Sequence, residues 1–332
     1  MIEKGLVSVL TPCFNGEKFI DRLLDSILLQ DYRKIEFIFV DDGSIDSTGD
    51  IITNYKQKFV NKQYRLEYVY QKNKGQAAAI NAALQKANGE FFIWPDADDY
   101  FCSTQIISKM VKTFDGLDSS YGYIRCWAKM VNEKNLQQVC ISRNKVDSEC
   151  LFQSFLDGTE SHAAAGTYMF KMSAFEAVNP TRTIFDKFRP QNCQLLLPMA
   201  YKYKCYTIKE PLHAIVLRTG SHSRREKDYS QQIATIDSYV EIHNKTLEGM
   251  SLPKDELHEY KLCCLNKLLL QKLDVALDYR KKKEALSFYS EIKMYGLHLS
   301  RGKIIKVYLL IISPVLLDIV MCIKKWRVFG CK

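Results

Sequence analysis

The sequence predicts an α/β fold built on a mainly parallel sheet, and three observations carry that prediction. Short apolar runs alternate with helix-period segments through residues 1–100, the signature of repeated strand-helix-strand units. Two of those runs, Ile35 to Val40 and Phe91 to Trp94, are almost continuously apolar, as expected of strands covered on both faces. Aspartates follow both runs at once, in the place beyond the carboxyl ends of strands where open sheets collect ligands.

Taken in order, strands are expected at Leu6 to Leu10, Ile35 to Val40, Arg65 to Tyr70 and Glu90 to Trp94. Between the first two, Phe19, Ile20, Leu23, Leu24, Ile27 and Leu28 recur at helical spacing. Asp46, Ser47 and Thr48 offer cap chemistry to the next helix, and an alanine-rich helix from about Gly75 ends at Asn88-Gly89. Beyond Tyr100 the pattern predicts mixed strands at Tyr121 to Met130 and Leu136 to Ile141. A helix at Ser148 to Leu156, a segment from Gly166 to Met172 and a strand at Leu212 to Leu217 follow. From Glu226 onward the chain reads as almost wholly helical, so a boundary is expected near residue 225.

The length of 332 residues corresponds to roughly two domains at about 150 residues each. A hydrophobic share of 47% excludes a disordered or collagen-like chain. The 11 cysteines are odd in number and lack paired Cys-x2-Cys spacing, which points to reduced thiols in a cytosolic protein. Met1 to Gly5 runs straight into the first strand without a leader pattern, so a cytoplasmic location is expected. The net charge of +9 is concentrated late, in Arg280 to Lys283, in Arg301, Lys303 and Lys306, and in Lys324, Lys325 and Arg327. No basic stripe with interleaved aromatics accompanies it, which argues against nucleic acid.

Three clusters carry chemistry. In Trp94-Pro95-Asp96-Ala97-Asp98-Asp99-Tyr100, three carboxylates in four residues repel one another unless a cation joins them. Asp96 and Asp98 at i and i+2 can face one hard divalent ion that also takes substrate phosphates. The same residues also suit a solvated, helix-capping turn. The second cluster, Asp41-Asp42-Gly43-Ser44, suits ribose or base recognition, or an Asp-Gly turn. The third, Thr11-Pro12-Cys13-Phe14-Asn15-Gly16, is a loop that could lie over a nucleotide at the sheet edge.

These clusters, with Gly75, Asn81 and Gly89-Glu90 between them, resemble the family 2 glycosyltransferases of the A-type (GT-A) nucleotide-diphospho-sugar transferase fold in order and spacing. The resemblance implies transfer of a sugar from a nucleotide-diphosphate-sugar, most simply a UDP-sugar, with inversion and with Mn or Mg holding the diphosphate. It places Thr11, Pro12, Phe14, Asn15, Asp41, Asp42, Ser44, Gly75, Asn81, Asp96 and Ala97 around the donor. Asp98 is implied as the main metal ligand, with Asp96 beside it and Asp99 close by. Arg218-Thr219-Gly220-Ser221-His222-Ser223-Arg224-Arg225 resembles the family's late basic loop. Arg218 or Arg224 would then clamp phosphate and His222 would contact metal or phosphate.

Gln191-Asn192 departs from the family, standing where many members carry a Glu-Asp pair whose aspartate is the general base. An amide takes no proton at neutral pH, so Asp186, Glu160 and His162 are candidate substitutes, or the two amides orient the acceptor.

The apolar stretch Ile304 to Ile323 contains Lys306, Pro314 and Asp318, and a charge near a helix centre costs roughly 2.5 to 3.5 kcal/mol in a bilayer. Residues 304–327 are therefore expected to lie at a membrane interface, with a buried or a spanning helix as alternatives. The expected organisation is a GT-A catalytic domain over 1–225, with a nucleotide half at 1–100 and an acceptor half at 101–225. A helical region over 226–332 follows. The expected task is glycosylation of a lipid-linked or polysaccharide acceptor in bacterial capsule, O-antigen or cell-wall synthesis, at the inner face of the cell membrane. A non-catalytic nucleotide-sugar-binding protein is one alternative. A sugar nucleotidyltransferase is another, but it would need a glycine-rich basic loop after the first strand, and Thr11 to Lys18 has one glycine.

Overall fold

Strand β1 (Glu3–Cys13) runs up the middle of the parallel half of the sheet, and its last eight residues are buried. The structure, a computed structural model, describes residues 1–160, 164–187, 191–218, 227–297 and 299–313. From β1 the chain passes through α1 (Ile20–Leu28), β2 (Ile35–Asp41), α2 (Thr48–Asn61), β3 (Arg65–Tyr70), α3 (Gln76–Lys86) and β4 (Gly89–Ile93). These four strands pair in parallel in the order β3-β2-β1-β4. The order reverses on either side of β1, so a crevice opens beyond the carboxyl ends of β1 and β4.

The second half makes the sheet mixed. It contains β5 (Tyr100–Phe101), α4 (Ile106–Asp115), β6 (Tyr121–Asn132), β7 (Gln138–Ser142), α5 (Phe152–Asp157), β8 (Tyr168–Lys171), α6 (Met172–Val178), α7 (Gln191–Lys202) and β9 (Lys204–Leu217). β8 pairs antiparallel with β4 and β6, β6 runs parallel to β9, and β5 closes antiparallel on β9. The main core packs α1, α2 and α4 on one face of the sheet through Leu23, Ile27, Phe59, Ile106 and Met110 against Val9, Phe37 and Phe91.

Several elements differ from the sequence expectation for identifiable reasons. β1 starts earlier and ends later than Leu6 to Leu10, and β9 reaches back to Lys204 because the strand continues along β6 from Tyr121. The helix expected from Ser148 begins only at Phe152. Upstream of it, Val146 is held by side chains, its carbonyl accepting from Arg125 and its N–H donating to Glu160. α4 has the strong amphipathic spacing of Ile106, Ile107, Met110, Val111 and Phe114, and sequence reasoning passed over it.

The chain divides into two compact units, Met1–Arg225 with Lys245–Ser251, and Glu226–Asn244 with Leu252–Lys332. The second is built from α8 (Tyr229–Gly249) up to Asn244, α9 (Lys254–Asp278), α10 (Lys282–Met294) and α11 (Arg301–Ile312). Its core joins Leu269, Leu273 and Leu277 to Ala285, Ile292, Val307 and Leu310. Among the described residues no helix is long and apolar enough to cross a membrane. Residues 314–327 of the expected interfacial segment lie outside the described residues.

Candidate functional site

Two loops lie at the strand ends beside the crevice, and side chains staple them together. The loop after β1 donates the Asn15 and Gly16 N–H groups to Ser44 Oγ (2.9 Å) and Thr48 Oγ1 (2.7 Å), and the loop after β2 returns the Ile45 N–H to Asn15 Oδ1 (3.0 Å). Gly43 sits at φ +81°, and a Cβ there would meet the Asn73 nitrogen at 2.7 Å, so the turn needs glycine. Thr11 is buried and donates to the Pro95 carbonyl, tying β1 to the acidic turn. Phe14 remains about half exposed at the strand end.

Asp41 and Asp42 are both buried but do different work. Asp41 accepts from the Ser44 N–H at 2.7 Å and from the Tyr68 hydroxyl at 2.8 Å. Burial and that carboxylate push the Tyr68 phenol up. Asp42 accepts from Gln71 Nε2 and from the N–H groups of Lys74 and Gly75 at 2.7 to 2.9 Å, fixing the loop that leads into α3. Asn81, one turn further on, uses both ends of its amide on the Ile184 backbone at 2.8 Å. It therefore braces the segment before α7 instead of facing the Asp41-Asp42 loop.

The acidic turn separates its three carboxylates. Asp96 accepts from Gln76 Nε2 at 2.9 Å. Asp99 turns inward, accepts the Val216 N–H at 2.9 Å and lies 3.6 Å from the buried His213 ring. Gly166 allows this arrangement, because a Cβ there would come within 2.4 Å of His213 Cε1. Asp98 faces Arg218, whose Nε lies 3.3 Å from its carboxylate. Burial, then the neighbouring Asp99 charge, pushes the Asp98 carboxyl above its ordinary value, against the opposing pull of Arg218 and Arg22. Arg218 also stacks on Phe19, 4.2 Å from the ring centre. The Cys13 thiol between these groups is pushed up by burial and by Asp41, Asp46 and Asp98, which keeps it an inert thiol.

A divalent cation fits this chemistry in one specific way. Among the described residues no three His, Cys, Asp or Glu side chains converge as a metal cage. Asp98 is a mostly buried carboxylate whose charge is disfavoured where it stands, so a cation beside it meets an electrostatic need. A hard ion that draws its remaining oxygens from substrate phosphates suits a single such carboxylate.

Helix α7 carries Gln191 and Asn192 in its first turn. Gln191 is buried, with its amide oxygen lacking a hydrogen-bond partner among the described residues. Asn192 Oδ1 accepts the Trp94 indole N–H at 3.2 Å, linking α7 to the residue that opens the acidic turn. Gln194 grips the Phe185 N–H and carbonyl with its amide. Glu160 is buried in an ion pair with the fully buried Arg125 at 3.1 Å, whereas Asp186 is exposed. His162, His222 and Arg224 lie outside the described residues.

Sequence reasoning missed Gln76, Gln194, Trp94 as a donor and Arg22. Arg22 had left a signal, a cation interrupting the apolar stripe of α1.

Comparison with known proteins places the chain in a family and matches its fold. Residues 8–178 match the family model of glycosyl transferase family 2. The chain is 29% identical over 152 residues to an uncharacterised glycosyltransferase of Rickettsia prowazekii, covering 44% of this chain and 45% of that one. It is 41% identical over 95 residues to the poly(ribitol-phosphate) beta-N-acetylglucosaminyltransferase TarS of Staphylococcus aureus, covering 28% of this chain and 16% of TarS. The chain thus spans less than half the length of these curated relatives. Among solved structures, S. aureus TarS 1–349 in complex with UDP-GlcNAc superposes with a TM-score of 0.61 at 17% identity, over 89% of this chain and 93% of that one. The mannosyltransferase PcManGT of Pyrobaculum calidifontis, in complex with GDP-Man and Mn2+, superposes with a TM-score of 0.56 at 17% identity, over 98% and 88%. With a family model matched over more than half of its length and the GT-A fold around the crevice, the chain belongs to glycosyl transferase family 2.

Proposed function

We propose that the enzyme moves a hexose, with inversion, from a nucleotide-diphosphate-sugar to a lipid-linked or polysaccharide acceptor in bacterial surface-glycan assembly, a UDP-sugar being the first donor to try. The observation that carries this reading is Asp98 facing Arg218 at the crevice beyond β1 and β4. Asp41 and Asp42 hold the loops of the nucleoside side, with the exposed Phe14 ring available to the base. Asp98, with Asp96 next to it, would hold Mn or Mg beside the diphosphate, and Arg218 would clamp a phosphate oxygen. When bound, the metal supplies charge stabilisation for the leaving diphosphate. The acceptor oxygen attacks the anomeric carbon opposite the diphosphate, the C–O bond to the diphosphate breaks, and the hydroxyl proton passes to a base.

Gln191 and Asn192 orient the acceptor in this scheme, because neither amide takes the proton. Asp186 is exposed and Glu160 is committed to Arg125, which leaves Asp186 and His162 as the candidates to mutate for the base. The catalytic domain occupies 1–225 and the helical region 226–332. Ile305, Tyr308 and Ile312 form an exposed row along α11, beside Arg301 and Lys306, which supports peripheral docking of this region on the inner membrane face.

The test is thermal shift against UDP-, GDP-, dTDP- and CMP-sugars with and without Mn. A donor at about a hundred times its Kd stabilises by roughly 2.7 kcal/mol. A metal-dependent shift with one nucleotide class is expected, and no shift with any of them would overturn the donor assignment. The paired amides at Gln191-Asn192 favour a second reading, a non-catalytic nucleotide-sugar-binding protein. Donor binding with no sugar transfer to any glycolipid or glycan acceptor would select it.

A further inference from the structure

Next to the acidic turn, and sharing only Tyr100 with it, the first unit contains a cavity of about 540 Å³ between α1, the residues Tyr100 to Thr104, and the β6-β7 hairpin. Its floor is apolar, since Val131 packs with Ala214 and Val216 and is covered by Tyr100 and Cys102. Two cations line it, Arg22 from α1 and Lys129 from β6. Neither enters an ion pair among the described residues. The Arg22 Nε is buried and has no hydrogen-bond partner among them. Lys129 lies close enough to the Cys102 thiol to oppose the rise that burial imposes on it. The one carboxylate in the wall, Asp25, accepts from the Tyr55 hydroxyl.

A buried guanidinium donor without an acceptor is unfavourable, and a second unpaired cation in the same cavity adds to the need for negative charge. The volume lies in the range of small-molecule sites, and an apolar floor with a few polar groups is their usual lining. We infer that this cavity binds a small organic acid, a phosphate monoester or a carboxylate on an apolar body, with Arg22 and Lys129 on its acidic group. Nothing in this assignment depends on the donor or acceptor of the transferase. Arg22 marks the boundary between the two sites, because its charge is felt both at Asp98 and at Tyr100.

The experiment titrates the full chain calorimetrically with phenyl phosphate, benzoate and phenol, in the wild type and in Lys129→Gln and Arg218→Ala. Binding of at least one of the two acids but not of phenol is expected, and comparison of the acids separates phosphate from carboxylate recognition. Lys129→Gln should weaken that binding about tenfold, the loss of one charge-assisted contact, while Arg218→Ala leaves it in place. Thermal melting checks that each variant is folded, and Arg22→Gln replaces Lys129→Gln should the latter melt early. Failure of both acids to bind would overturn the assignment. So would binding that survives Lys129→Gln and disappears in Arg218→Ala, which would place the acid in the donor crevice. Thermal shift with UDP-sugars reads the donor site separately, so either assignment can fail without the other.

Discussion

Asp98 and Arg218 meet across 3.3 Å at the mouth of the crevice, one from the turn after β4 and the other from the end of β9. β9 reaches this turn through its antiparallel pairing with β5, which follows the turn directly. The Arg218 guanidinium leaves the Asp98 carboxyl still above its ordinary value, so the carboxylate keeps a demand for positive charge. On the proposed reading a diphosphate would bring more negative charge to the same place, and a divalent cation would reconcile the two.

Asp98→Asn should therefore lose metal-dependent donor binding while sparing any metal-free binding. In Mn, affinity for UDP should fall by more than about 100-fold, above what loss of an outer-shell partner causes. In EDTA the variant should bind UDP as well as the wild type or better, since a repelling carboxylate is gone. Calorimetric titration in both buffers reads the two effects. Metal-dependent binding in the wild type should also fade on acidification earlier than an ordinary carboxylate would allow, because the Asp98 carboxyl is raised and its protonated form is a poor ligand.

Arg218→Ala should weaken UDP binding roughly 10- to 100-fold through loss of a charged hydrogen bond. Arg218→Lys keeps the charge but not the planar fork or the stacking on Phe19, and should recover only part of the loss. Equal affinity in all three proteins would remove Arg218 from the donor site.

Asn192→Ala should leave donor binding intact and lower turnover. Its amide oxygen accepts from the indole of Trp94, the residue that opens the acidic turn, and among the described residues no hydrogen bond ties it to Asp41 or Asp42. The expected result is unchanged Kd for the UDP-sugar with a kcat reduced about tenfold or more, measured as nucleotide release with acceptor present.

The parallel half of the fold was legible because buried strands and helix-period runs alternate without interruption, as in Phe37 to Val40 followed by Ile52, Tyr55 and Phe59. The position of the acidic turn was legible because three carboxylates in four residues directly follow a buried apolar run. Roles within it were not. Asp99 differs from Asp98 only in which way the turn points it, toward the Val216 N–H and His213, and those partners lie on β9. The clamp on Asp42 was hidden for a different reason, since two of its three donors are main-chain N–H groups that leave no residue signature. Arg125 carried a signal that went unused, a guanidinium in the middle of the buried run Tyr123-Ile124-Arg125-Cys126. Such a residue demands a buried anion, and the fold supplies Glu160.

That pair yields a stability prediction that separates structure from catalysis. Glu160→Gln leaves the Arg125 charge buried without its anion, and breaking a buried pair in this way costs about 3 to 5 kcal/mol. In a unit of this size the melting temperature should drop on the order of 10 °C. Both partners are almost fully buried, so solvent screening does little to reduce the effect. Retention of the wild-type melting temperature together with a collapse of turnover would instead make Glu160 the base.

A last prediction concerns pH and the helical unit. His243 on α8 is buried, and burial lowers its imidazole to about 4 from an ordinary 6.5, with the nearby Lys267 acting in the same direction and the Tyr239 carbonyl opposing them. Between those values the unfolded chain takes up a proton that the folded chain refuses, so stability rises with pH across the window. The contribution is fully present above about pH 6.5 and is progressively lost as the pH falls toward 4. A gap of this size corresponds to roughly 3 kcal/mol at full extent. Chemical denaturation followed from pH 7.5 to pH 4.5 should show that loss, and His243→Gln, which carries no titrating group, should flatten the slope in this window. A profile identical in wild type and variant would assign the acid sensitivity of this unit to other groups.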